Sequence, residues 1–164
     1  MQHETKIKGI FCLLCYISMK HNITIPSSPG TYALTMKLAK SAEITIGKLG
    51  TFTFHPGYYI YTGSAFGPGG LQARVGRHLQ KNKKLKWHID YLREYMEITD
   101  LQFAEFAKNQ ECEWSAKFAE NGGVFPAKGL GSSDCRCFSH LIYFNEDLYR
   151  IQKISECTFI KGRK

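Results

Sequence analysis

From Tyr58 to His88 the chain reads Y-Y-I-Y-T-G-S-A-F-G-P-G-G-L-Q-A-R-V-G-R-H-L-Q-K-N-K-K-L-K-W-H, a stretch that few arrangements of local structure satisfy. Residues 58–61 combine aromatic and β-branched side chains suited to a pleated, half-buried strand. Gly63 and the run Gly67-Pro68-Gly69-Gly70 supply backbone freedom and a proline turn, which predicts that the strand gives way to a loop. Leu71, Val75 and Leu79 recur every four residues and predict a helix with one apolar stripe. Arg74 and His78, also four apart, lie together on a neighbouring stripe, where both can reach one target. Arg77, Lys81, Lys83, Lys84 and Lys86 extend the positive charge. A strand ending in a tyrosine, a glycine loop and a helix presenting Arg and His suit a site that holds a phosphodiester.

A chain of 164 residues can build one domain with a real core, with or without an appendage. Its 22 Lys and Arg against 14 Asp and Glu give a formal charge of +8, which favours an acidic partner such as nucleic acid or an anionic surface. The six cysteines are too few and too unevenly placed for a secreted disulfide scaffold, which points to a reducing, cytoplasmic compartment. Behind Lys6 and Lys8, the apolar run I-F-C-L-L-C-Y-I at 10–17 superficially resembles the start of a secretory signal. It is too short to span a bilayer and no small-x-small cleavage pattern follows, so no stable membrane insertion is expected. Cys12 and Cys15 read as filling in a hydrophobic element packed on the domain, against a redox or zinc pair. Pro26-Ser27-Ser28-Pro29 reads as a linker.

The remaining pattern predicts a domain over 30–145, between an N-terminal extension (1–29) and a basic C-terminal tail (146–164). Residues 31–38 form a strand, and 43–46 and 51–54 form a hairpin around Gly47 and Gly50. After the Arg-His helix, Trp87, Ile89, Tyr91 and Leu92 describe a second amphipathic helix over 88–95. A strand at 98–107, a third helix at 109–120 closed by Gly122-Gly123, and a last strand at 140–144 complete the order. The class is α+β: a small, mostly antiparallel sheet flanked by about three helices, with an extra hairpin near 43–54.

In this order the motifs resemble the GIY-YIG nucleases. Gly30-Thr31-Tyr32 looks like that family's first motif and Tyr61-Thr62-Gly63 like its second, each with Thr in place of Ile. Arg74 and His78 fall where the family keeps an arginine and, in its homing branch, a histidine one turn later. The segments W-H-I-D-Y-L and G-S-S-D-C-x-C-x-S-H look like a small branch of unknown function, and the resemblance spans residues 30–144. The gap between the two motifs is longer than in the homing branch, and the hairpin would fill it. The resemblance implies a metal-dependent endonuclease acting on nucleic acid, most plainly DNA. The alternative is a noncatalytic nucleic-acid-binding module that kept the fold.

Phosphodiester hydrolysis needs a nucleophilic water, a proton acceptor and charge stabilisation for the leaving oxygen. The resemblance gives Tyr32 the proton-accepting role, which requires a nearby cation to lower a phenol pKa of ~10. Tyr61 would orient the water or bond a phosphate oxygen; both tyrosines also read as core aromatics. Arg74 offers a planar fork matched to two phosphate oxygens. His78 would bond phosphate or relay a proton, and His88 stands where homing members keep a second histidine, or begins a helix. Gly63, Ser64, Arg77, Lys81, Lys83, Lys84 and Lys86 would contact the nucleic-acid backbone or remain a solvated surface.

The family's metal-binding glutamate is Glu111 or Glu113. These point to different sides of one helix, so only one can face the site. The resemblance favours Glu111, because the family's glutamate is typically followed three residues later by a large apolar side chain, and Trp114 stands there after Glu111 whereas Ala116 follows Glu113. One carboxylate with waters and substrate phosphate suits Mg²⁺ or Mn²⁺. Separately, Cys112, Cys135, Cys137 and His140 would complete a structural Zn²⁺ site, or stand as buried thiols beside a polar loop. The sequence sets no oligomeric state.

Overall fold

Tyr32, Leu34 and Met36 alternate with Ala33 and Thr35 along β2 (Gly30–Leu38), yet all five are buried. A strand hides both faces only when both are covered, and the computed structural model, which describes residues 15–18, 24–105 and 108–150, has layers on each side. The remaining elements are β1 (Cys15–Ser18), β3 (Ala42–Ile46), β4 (Gly50–Phe54), β5 (Gly57–Ala65), α1 (Gly70–Leu79), α2 (His88–Arg93), β6 (Glu97–Glu105), α3 (Glu111–Glu120) and β7 (Leu141–Phe144). A further helical segment covers 146–150. The main sheet has the order β1-β6-β2-β5-β7 with every pair antiparallel, and β3 with β4 forms the separate hairpin. The α+β class, the small antiparallel sheet and the extra hairpin are therefore as the pattern predicts.

On one face, Tyr32, Leu34 and Met36 join Tyr59 and Tyr61 of β5, Leu71 and Val75 of α1, Ile89 and Leu92 of α2, and Ile44, Ile46 and Phe54 of the hairpin. On the other, Ala33, Ile60, Ile142 and Phe144 meet Trp114 and Phe118 of α3 and Tyr149. The stripe Leu71, Val75 thus seats α1 on the sheet, and the neighbouring stripe carrying His78 is drawn under with it. Burying one Leu or Val side chain contributes roughly 1.5–3 kcal/mol, so these anchors fix the helix firmly.

Three local expectations change. The strand expected to stop at Tyr61 runs on to Ala65, because Gly63 is not a turn residue: it lies opposite Tyr32 in the ladder, and a Cβ there would overlap the Tyr32 ring. Residues 26–29 are not a free linker, since Pro26 and Ser28 carbonyls accept the first α1 amides, from Gln72 at 2.9 Å and Leu71 at 3.0 Å. These bonds satisfy orphan donors of the helix start. Beyond residue 145, the 146–150 segment packs rather than trails, with the Tyr149 ring stacked on Tyr58 at 3.9 Å and its hydroxyl on Asp100 at 3.0 Å. The apolar run at the N-terminus contributes β1, which pairs with β6; Cys12, like the tail beyond 150, lies outside the described residues. Among the described residues no helix is long and apolar enough to cross a membrane.

Candidate functional site

Tyr32 is placed by β2 with its ring over Gly63, and its hydroxyl meets His78 Nε2 of α1 at 2.8 Å inside the core. Tyr61 precedes Gly63 by two residues and so projects from the same face of β5, its ring 6.3 Å from that of His78. Arg74 stands one turn before His78. Its guanidinium carbon lies 4.4 Å from the centre of the Trp87 ring, Arg77 lies at 4.5 Å and the Lys86 ammonium at 5.2 Å. Trp87 also meets His78 edge-on at 5.5 Å, so one indole gathers three cations beside the imidazole.

Burial drives the electrostatics. It pushes the Tyr32 phenol well above its ordinary range, with the Tyr61 field adding and the Arg74 charge opposing. Tyr61 is likewise raised, by burial and then by Glu111, again against Arg74. Burial takes His78 down to about 3, helped by Lys83, so its imidazole is neutral near pH 7. Among the described residues no carboxylate pairs with Arg74, which leaves its fork available.

The other cations sort differently. Asp90, completely buried, pairs with Arg77 at 2.9 Å and Lys83 at 3.0 Å, and accepts the backbone amides of Lys86 and Trp87 at 2.9 and 3.0 Å. Burial alone would raise its carboxyl; the two amides and Lys83 override that and hold it below its ordinary value. Lys81 pairs with Glu97 at 2.8 Å. Lys84 and Lys86 remain exposed. Alternation along β5 sends Ser64 to the face opposite Tyr61, and Gly63 is closed beneath Tyr32. His88 accepts the Gly131 amide on Nδ1 at 3.0 Å, bracing the loop whose Gly131 packs on the Tyr61 ring. In this arrangement His88 supports the site wall, Arg77 and Lys83 are tied inward, and Lys84 and Lys86 face solvent.

The two glutamates separate cleanly. Glu113 is exposed and pairs with Lys117 at 2.7 Å. Glu111, half-buried and held by Asn109 Nδ2 at 3.1 Å, acts electrostatically on both Tyr32 and Tyr61. Immediately after it, Cys112 turns to the loop at 130–140. The ligand atoms of Cys112, Cys135, Cys137 and His140 lie within 4.8 Å of one another, a cluster that can hold a metal ion. His140 Nε2 is 3.5 Å from Cys112 Sγ and 3.4 Å from Cys135 Sγ. Burial and mutual hydrogen bonding push the Cys112 thiol up, and burial pushes His140 down, which keeps the imidazole in the neutral form that binds metals.

Asp90 and Trp87 escape a sequence reading, although W-H-I-D-Y-L carries a signal for one of them. An acidic residue at the third helical position, between Ile89 and Leu92 of an apolar stripe, is buried and must find donors.

A family model described as Domain of unknown function DUF123 matches residues 31–160. No curated protein and no solved structure matches the chain.

Proposed function

The chain belongs to the family described as Domain of unknown function DUF123, and from that premise we propose that it is a metal-dependent endonuclease hydrolysing phosphodiester bonds in DNA. The observation that carries the proposal is the convergence of Tyr32 of β2 with Tyr61 of β5 and Arg74 and His78 of α1, within the field of Glu111. The likeness to the GIY-YIG pattern supports the same assignment of roles. Arg74 binds two phosphate oxygens and, by opposing the raised phenol pKa values, favours loss of the Tyr32 proton. Water gives a proton to Tyr32 as the Tyr32 proton passes to His78 Nε2. The water oxygen bonds phosphorus, the bond from phosphorus to the leaving sugar oxygen breaks, and that oxygen is protonated from solvent. Tyr61 positions the attacking water.

Glu111 is the residue that would hold Mg²⁺ or Mn²⁺, a hard cation suited to one carboxylate, and its field on both tyrosines marks a place where positive charge is wanted. When bound, the ion supplies charge neutralisation at the phosphate. A structural Zn²⁺ fits the second cluster. A tetrahedron with bonds of about 2.0–2.3 Å holds its ligand atoms roughly 3.3–3.8 Å apart, and the two sulfur to nitrogen separations, 3.5 and 3.4 Å, fall within that range. Three thiols held as ligands suit a reducing, cytoplasmic setting.

A noncatalytic nucleic-acid-binding module is the second reading, favoured by the depth of the pair: Tyr32 is 2% and His78 1% exposed. Incubating the purified full chain with supercoiled plasmid and Mg²⁺ or Mn²⁺ decides between them. Nicked or linear product, absent after chelation, is expected; binding without product would overturn the enzyme.

A further inference from the structure

Among the described residues the buried His78 Nδ1 has no hydrogen-bond partner, and it lies 4.0 Å from Asp90 Oδ1, the oxygen that also pairs with the Lys83 ammonium at 3.0 Å. The other Asp90 oxygen is fully committed to Arg77 and the Lys86 and Trp87 amides, so the carboxylate is fixed in orientation. We infer that Asp90 is a positioning residue that locks His78 as the Nδ1–H tautomer, leaving the Nε2 lone pair to accept the Tyr32 proton. With Nδ1 unprotonated, a ring lone pair would face a carboxylate oxygen in a low-dielectric interior, a repulsive arrangement; with Nδ1–H, a donor faces it. The charged groups around the ring agree. Burial keeps the imidazole neutral, with Lys83, Arg74 and Arg77 adding to it and Asp90 opposing. Tyr32, Tyr61 and Trp87 close the remaining sides.

The tautomer matters because only an Nε2 lone pair can take a proton from Tyr32. The Nε2–H form would donate to the Tyr32 oxygen, and the relay would be blocked. Lys83 acquires a part as well: its ammonium, 3.0 Å from Asp90 Oδ1, helps keep that carboxylate ionised without contacting Tyr32.

The catalytic consequence rests on the endonuclease proposal, but the tautomer does not, and the experiment separates them. Long-range ¹H–¹⁵N spectra of the ¹⁵N-labelled full chain, with His78 assigned by its loss in His78→Gln, report which ring nitrogen carries the proton near pH 7. Protonated Nδ1 is expected in the wild type, and protonated Nε2 would overturn the inference whatever the variants do. In Asp90→Asn the amide oxygen takes over the Arg77 and backbone bonds, which puts the NH₂ where Oδ1 stood, displaces the Lys83 ammonium that paired there, and presents a donor to His78 Nδ1 that flips the ring to Nε2–H. Plasmid cleavage should then fall ~10²–10⁴-fold with DNA affinity nearly unchanged. A ring that stays Nδ1–H in folded Asp90→Asn overturns the role of Asp90. The expected tautomers in both proteins, with no cleavage by either, uphold Asp90 and sink the nuclease.

Discussion

Tyr32 Oη and His78 Nε2 meet at 2.8 Å within the core although 46 residues separate them. Burial holds His78 down to about 3 in the folded chain, against about 6.5 in an unfolded one. Between those values the unfolded chain binds the extra proton, so the stability contributed by a neutral His78 is complete above about pH 6.5 and falls away toward pH 3. Asp90, whose carboxyl is held low, loses its own contribution only below the ordinary carboxylate range. His78→Gln should therefore be less stable at neutral pH yet show a flatter decline between about pH 6.5 and 4, seen in urea midpoints. Parallel declines in both proteins would refute a buried neutral imidazole.

Replacing Glu111 by Gln removes one charge and almost no volume from a half-buried position. Cleavage should drop at least ~10²-fold while melting temperature and DNA affinity hold. Glu113→Gln breaks only an exposed pair with Lys117, worth about 0.3–0.5 kcal/mol, and should cleave normally. Full activity in Glu111→Gln would remove that residue from the site.

Gly63→Ala places a methyl where the Tyr32 ring lies. The ring must move or the strands must part, at a cost of about 1–3 kcal/mol in thermal or denaturant unfolding. Because Tyr32 moves away from His78, activity should fall further than stability does. An unaltered melting curve would show that the ring does not rest there.

The basic segment divides into structural and surface cations. Lys84 and Lys86, exposed, should together reduce the salt slope of DNA binding by about two units when changed to Ala, while leaving the fold unaltered. Lys83→Ala should do the reverse, lowering stability with little change in salt slope, because it leaves Asp90 partly uncompensated. Titrations at several salt concentrations, paired with melts, distinguish the two sets. Equal slopes in all variants would take the segment out of the interface.

Freshly purified, reduced protein should carry about one equivalent of zinc, and Cys135→Ser should lose it together with several degrees of melting temperature. Zinc-free protein of undiminished stability would leave the cysteines as buried thiols and the Glu111 chemistry untouched.

The elements legible in the sequence are those whose cause is local. The Leu71 and Val75 stripe, the hairpin about Gly47 and Gly50, and the helix carrying Trp114 and Phe118 each arise from spacing over a few residues. The features that escaped depend on distant partners. Gly63 has the signature of a turn, and only the register with Tyr32 across β2 and β5 reveals that it makes room. Lys83 belongs to a solvated run until Asp90 is folded beside it, and Pro26 and Ser28 resemble a tether until α1 supplies amides for their carbonyls. The preference for Glu111 over Glu113 comes from the resemblance, through the large apolar Trp114 three residues later, and not from any local pattern of the helix itself.

Consecutive helical residues stand about 100° apart around the axis, so holding one of them sets the bearing of the next. Cys112, gripped by the 130–140 loop, is the direct neighbour of Glu111 in the first turn of α3. The loop thereby works as an index pin: its contact with Cys112 helps set the roll of α3 about its axis, and with it the bearing on which the neighbouring carboxylate leaves the helix.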